Sequence, residues 1–358
     1  MRARCVLVAG PGGTGCSTRA AELATAYAAS GRPVLVLGTD PFDDATSMLG
    51  PRTDGLIRTQ SAGDAAAAED HPIGALLGCV GLEPRLASEV AQLPQAATIR
   101  LLWQLAAVGR PEIPVDGRRR PGDRPRVAEV VVVDAGTRAV ELVRLASALP
   151  WLLQRIAPAQ RGWLTTSRPL LAAALGTRWP GDALTDQVHA GLVQTAAANE
   201  MLLGPGSAAV VCAGSAPSMK VRRVVAGLAI GAASVTATLG GHRPEPCDPP
   251  RWASDRSADD QRVDLDRHAR TGRSGGVSCE HDGSDYLWRM PLSGVRFQEL
   301  SLSMMQDDLV LQALGHRSAM SLPTVLRRCR PVGADLRQAV LTVRFSPVGQ
   351  DGSRVDRG

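Results

Sequence analysis

The amino-acid sequence predicts an α/β protein, a parallel sheet flanked by helices, with a small antiparallel β-sandwich at its C-terminal end. Three observations carry this reading. Two short apolar runs, RCVLVA (Arg4–Ala9) and PVLVLGTD (residues 33–40), enclose an alanine-rich helical stretch, and strand, helix and strand at this spacing imply a parallel pair with a right-handed crossover. A third run, Val127–Val133, contains four successive valines and ends in Asp134, the pattern of a strand buried on both faces. Past residue 285 the periodicity changes. YLWRMPL, ELSLSMM, DLVLQALG and AVLTVRF are short runs with turn residues between them, and Leu341, Val343 and Phe345 alternate strictly, as strands with one buried face do.

The elements follow in order. MRARCVLVAGPGG has the basic end and short apolar run of a secretory leader, but the run stops in glycines and reads better as a buried first strand. Ser17–Ser30 reads as helix, closed by Gly31 as its C-terminal cap. Arg110–Arg126 is turn-rich loop, and its arginine run, Arg118–Arg120, reads as a solvated surface. Ala208–Ala213 and Ser234–Leu239 supply two more strands. The apolar tract Val224–Leu239 is too short for a bilayer and is interrupted by Gly227 and Gly231, so it is helix and then strand. The expected organisation is an α/β domain over 1–241, a flexible linker over 242–284, a sandwich over 285–347 and a disordered tail over 348–358. The linker is assigned because Pro, Gly, Ser, Asp and Arg dominate it and leave little apolar area to bury.

A chain of 358 residues with 44% hydrophobic residues accommodates two folded domains. Its net charge of +5 is carried almost wholly by arginine, Lys220 being the only lysine, and aromatics make up 3%. That composition lacks the basic, aromatic-interleaved surface of a nucleic-acid binder, so no nucleic-acid partner is expected. Seven cysteines, an odd number without a C-x-x-C pair, argue against a disulfide framework or a zinc site and suit a reducing, cytoplasmic compartment. Trp151, Trp163 and Trp179 fall in helical sequence and read as core or dimer-surface residues.

Gly10-Pro11-Gly12-Gly13-Thr14-Gly15-Cys16-Ser17 has the spacing G-x-x-x-x-G-K-S/T, with cysteine where lysine belongs. A loop of this kind turns backbone N–H groups toward phosphates, adds the positive end of the following helix, and uses Lys for the phosphate oxygens and Ser/Thr for magnesium. Ser17 is then a candidate magnesium ligand, Asp40 a water-orienting carboxylate and Asp134 the acid that closes the third strand. Plainer roles stay open for each. Ser17 serves equally as a helix N-cap, Asp40 as the start of the turn with Pro41, and Asp134 as the cap of the next helix. Arg19 is the nearest cation in sequence but lies almost a full turn up the helix, away from the loop. Cys16 sits where a helix N-terminus lowers a thiol pKa, and it is read as a tolerated substitution.

Together, VLVAGPGGTGCST, LVLGTDP and VVVVDAG resemble the ArsA ATPase family, the deviant Walker A proteins that include the arsenical pump-driving ATPase and the ATPase that delivers tail-anchored membrane proteins. The segment from RMPLSGVRFQEL to AVLTVRFSP is similar to the α-crystallin-like, small heat-shock-protein-like domain fused to many bacterial members. The resemblance implies a P-loop NTPase-type domain that takes ATP and Mg2+, with Gly10, Gly12, Gly13, Thr14, Gly15, Cys16, Ser17 and Thr18 around the nucleotide, Ser17 and Asp134 at the metal and Asp40 in catalysis. It also implies a nucleotide-sandwich dimer in which one loop lysine reaches the partner's phosphates and a second holds its own. Those positions are Pro11 and Cys16 here, and each missing cation removes a charge-assisted contact of about 1.5–3 kcal/mol. Phe42 and Asp43 replace a small residue and a histidine, the switch segment after the third strand is reduced to Ala135-Gly136-Thr137, and SVTATLGG holds no asparagine to read adenine. The expectation is a weak or inactive ATPase acting as a dimeric scaffold, a homodimer or a heterodimer with an active paralogue, with a client protein as a further partner and no integral membrane segment. Two alternatives stay open: an active magnesium-dependent ATPase coupled to a client or ion transporter, and a chaperone or oligomerisation module working through the sandwich.

Overall fold

Alternation along the first strand decides the layering, because Cys5, Leu7 and Ala9 pack into one apolar cluster and Val6 and Val8 into another, as period-two side chains must. The computed structural model describes residues 3–38, 45–49, 55–61, 94–109, 128–152, 181–214, 216, 218–239, 257–270 and 277–348. Six strands, β1 (Arg4–Ala9), β2 (Val34–Gly38), β3 (Ile57–Ser61), β4 (Val130–Gly136), β5 (Ala208–Cys212) and β6 (Val235–Leu239), form one sheet in the order β3-β2-β4-β1-β5-β6. Every pairing is parallel. Leu101 and Leu105 of α3 (Pro94–Gly109), Leu142 of α4 (residues 139–152) and Leu228 of α6 (Ser218–Ile230) cover one face, with α5 (Gly181–Leu203) beside them. Leu23 and Tyr27 of α1 (Cys16–Ala29) and the short α2 (Ala45–Leu49) cover the other. Gly31 closes α1 at φ 82°, a left-handed conformation that glycine adopts without strain.

The five strands read from sequence in this domain, β1, β2, β4, β5 and β6, are all present, with β4 running on past Asp134 to Gly136. The sixth strand of the sheet, β3, is unexpected. Its sequence IRTQS is polar, because an edge strand pairs along one side only and has little apolar area to bury.

The expected linker over 242–284 requires correction, since it contains α7 (Ala258–Arg270) and the strand β7 (Ser278–Asp282). Low apolar content misled because charge, more than oil, attaches this helix. Leu265 is buried against α1, and the Asp266 carboxylate receives Arg4 at 2.7 Å, Arg32 at 2.8 Å and Arg262 at 3.4 Å. Its start is marked in the sequence: the Ser257 hydroxyl accepts the Asp260 N–H at 3.2 Å and donates to the Asp260 carboxylate at 2.9 Å, a reciprocal cap.

The C-terminal segment forms two antiparallel sheets packed face to face. One has the order β12-β13-β8-β7, with β8 (Asp285–Pro291), β12 (Cys329–Arg337) and β13 (Val340–Pro347); the other is β11-β10-β9, with β9 (Ser301–Met305), β10 (Asp308–Ala313) and β11 (His316–Ser321). Trp288, Leu311, Leu341 and Phe345 fill the space between, and Ala226, Ala229 and Ile230 of α6 join the same cluster. The sandwich is therefore packed against the α/β layer. Arg222 of α6 reaches Glu299 at 2.6 Å, His316 Nε2 bonds the Arg223 carbonyl at 2.9 Å, and Trp151 Nε1 donates to Asp308 at 3.2 Å. Trp151 is thus a tie between the two layers, while Trp163, Trp179, Arg110–Arg126 and residues 349–358 lie outside the described residues. Among the described residues, no helix is long and apolar enough to cross a membrane.

Candidate functional site

The site grows from the point where β1 runs out of apolar sequence. Gly10–Gly15 turns the chain over the C-terminal end of the central strand, with Gly13 and Gly15 both at φ 76°, a conformation costly to any residue with a Cβ. Gly10 is required for a different reason: a Cβ there would lie 2.5 Å from the Cys212 carbonyl oxygen and 2.8 Å from Cys16 Sγ. The Thr14 hydroxyl donates to the Pro11 carbonyl at 2.7 Å and locks the turn. Helix α1 then begins at Gly15 without a side-chain cap or an acidic residue in its first turn, so its positive end faces the loop uncompensated.

This loop, Met48, and the turn from Asp134 to Arg138 line a cavity of about 460 Å³. Ligands of open parallel sheets bind at this position, beyond the carboxyl ends of the strands. Gly10, Gly12, Gly13, Thr14, Gly15, Cys16, Ser17 and Thr18 all line it, and so does Asp134. Asp134 is 3% exposed and accepts the Ala45 N–H at 3.0 Å. Asp40 lies outside the described residues. A larger hollow, about 650 Å³, runs along the outer side of α1 against α7. Its charged residues pair close by, Glu22 with Arg19 and Arg262 with Asp259, so they do not converge on a ligand.

Two residues at the loop were not anticipated. Arg138 lines the cavity from the start of α4, whose N-terminus opens on the same space, whereas Arg19 points up its own helix to Glu22 at 3.0 Å. The second is Cys212, the last residue of β5. Its thiol hydrogen-bonds that of Cys16, which lowers the Cys16 pKa against the opposing effect of burial; the same bond and burial push Cys212 up. Cys16 Sγ also lies 3.4 Å from the Thr14 hydroxyl. The side chain at the lysine position therefore packs beside Thr14 and Gly10 and carries no cation. Neither residue was legible because each reaches the site from a distant strand end. The one available signal for Arg138 was its place directly after the Ala135-Gly136-Thr137 turn.

The comparisons with known proteins agree with this architecture. A family model described as an HSP20-like domain found in ArsA matches residues 283–345. An uncharacterized protein of Streptomyces coelicolor is 31% identical over 96% of this chain and 97% of its own. The chain belongs to the ArsA family. A Mycobacterium tuberculosis protein shares 42% identity with this ArsA-family chain over 64 residues, 18% of this chain and 15% of its own. In this ArsA-family member the loop suits a phosphate group: nothing lies within 4 Å of a Cβ built at Gly13 or Gly15, and backbone can approach an anion there. The residues do not suit the two-lysine arrangement, since Pro11 and Cys16 offer no cation. Among the described residues, no group of three or more His, Cys, Asp or Glu is placed to hold a metal ion.

Proposed function

We propose that this ArsA-family chain is a weak or inactive ATPase with a degenerate nucleotide site, serving as a dimeric scaffold or as the partner subunit of an active paralogue. The observation that carries this reading is the lining of the loop cavity: Pro11 and Cys16 stand there at the two lysine positions, and neither offers a cation to phosphate. Ser17 lines that cavity and Asp134 is already engaged with Ala45, so both carboxylate and hydroxyl remain while the cations that neutralise phosphate are gone. Two losses of about 1.5–3 kcal/mol each correspond to a weakening of binding by at least two orders of magnitude.

Arg138 favours a second reading, an active magnesium-dependent ATPase coupled to a client or ion transporter. Arg138 lines the cavity, and an arginine is a residue type able to pair with phosphate oxygens. The third reading, a chaperone or oligomerisation module, is supported least, because one side of the sandwich is buried against α6.

Calorimetric titration with ATP, ADP and magnesium, beside a phosphate-release assay, separates these. The natural protein is expected to bind millimolar or weaker and to release no phosphate, while the Pro11→Lys, Cys16→Lys double variant gains binding. Micromolar binding and turnover by the natural protein, both abolished in Arg138→Ala, would establish the active reading instead.

A further inference from the structure

Cys16 and Cys212 come from opposite halves of the α/β domain and meet under the loop, where the Cys16 sulfur and the Cys212 backbone both abut Gly10. The contact is built. Gly10 leaves open the space that any Cβ would fill, 2.8 Å from Cys16 Sγ and 2.5 Å from the Cys212 carbonyl oxygen, and both cysteines belong to one apolar cluster. Their accessibility differs in a useful way. Cys16 lines the loop cavity and is 9% exposed, whereas Cys212 is 3% exposed and does not line it. A small oxidant entering the cavity meets Cys16 first, with Cys212 behind it.

We propose that Cys16 and Cys212 form an oxidisable dithiol, a modification site at which hydrogen peroxide or a related peroxide closes a disulfide beneath the loop. Cys16 gives up its proton to water and its sulfur attacks the peroxide. An S–O bond forms, the O–O bond breaks, and the departing hydroxide takes a proton to leave as water. The Cys212 sulfur then attacks the Cys16 sulfenic acid; the S–S bond forms, the S–O bond breaks, and hydroxide departs with the Cys212 proton as a second water. Two electrons pass from the two thiols to one peroxide. Closing the bond fixes the sulfurs about 2 Å apart. It ties the first residue of α1 to the last residue of β5, and the loop between β1 and α1 loses its freedom to rearrange.

The chemistry proceeds whether or not nucleotide enters the loop, so its test is independent of ATP binding. Reduced full-length protein is treated with a small excess of hydrogen peroxide, its remaining thiols are alkylated, and the chain is digested without reductant for peptide mapping by mass spectrometry. A Cys16–Cys212 cross-linked peptide that disappears on reduction is expected as the main product. In Cys212→Ser the cross-link is lost and Cys16 accumulates as sulfenic or sulfinic acid. Cys16 alkylated after the other thiols have oxidised, Cys16 overoxidised in the natural protein, or Cys16 joined to a different cysteine in equal yield would each overturn the proposal. The mapping of the natural protein decides the matter even if a variant does not fold.

Discussion

Helix α7 and the C-terminal sandwich both close on the α/β layer from late in the chain, and they are held by opposite chemistry. At α7, three arginines, Arg4 of β1, Arg32 of the turn before β2 and Arg262 of α7 itself, converge on one carboxylate, Asp266, whose side chain is 8% exposed. At the sandwich, alanines and an isoleucine of α6 enter an apolar core with Trp288 and Leu292, and a few polar ties surround them. The first seam depends on a single group. The second spreads its stabilisation over many small contacts and is limited by shape, since α6 offers Gly227 where β11 comes closest.

Breaking the charged seam carries the largest expected effect. Asp266→Ala leaves partly buried guanidinium groups facing one another, and removal of one partner from such a site costs about 3–5 kcal/mol. Urea unfolding should show a drop of that size, with hydrogen exchange accelerated first across residues 257–270. Loss of less than about 1 kcal/mol would place the helix's attachment in Leu265 alone.

The packed seam should yield to overfilling. A Cβ at Gly227 would lie 2.6 Å from Val140 and 2.9 Å from the His316 ring, so Gly227→Ala is expected to cost about 1–3 kcal/mol. Protection should be lost along β11 and α6 while α7 keeps its own. A fall of equal size in both regions would mean that the two seams form one cooperative unit.

The smallest effect is a pH dependence confined to the sandwich seam. Burial lowers the His316 pKa below 6.5, the charges of Arg144 and Arg223 lower it further, and its bond to the Arg223 carbonyl only partly opposes them. The folded protein thus favours neutral histidine. Its contribution is complete above the unfolded value and is lost as pH falls through the lower folded value. Hydrogen exchange at β11 should quicken between about pH 7 and pH 5, and His316→Gln should flatten the profile.

Much of the fold was legible before any coordinates. Valine runs such as Val130–Val133 announce strands buried on both faces, and the loop's glycines have the spacing that the turn from β1 into α1 demands. The candidate site was legible only where it is local. Gly10–Thr18 and Asp134 share one cavity, but Arg138 and Cys212 arrive there through sheet order and strand ends, and α7 through a charge cluster that no window of sequence contains.

What the sequence determined by itself, then, is whatever periodicity and backbone chemistry specify within a few residues: the strands, the glycine loop, the alternating sandwich, and the absence of lysine at Pro11 and Cys16. Tertiary structure alone decided which groups meet. Parallel pairing sets Ala9 beside both Gly136 and Val211, which brings the end of β4 and the end of β5 to the same loop. Cys212 then lies beside Cys16, and the arginine just before α4 lines a cavity shared with α1, because contacts across a sheet are fixed by strand order and register, which chain proximity does not encode.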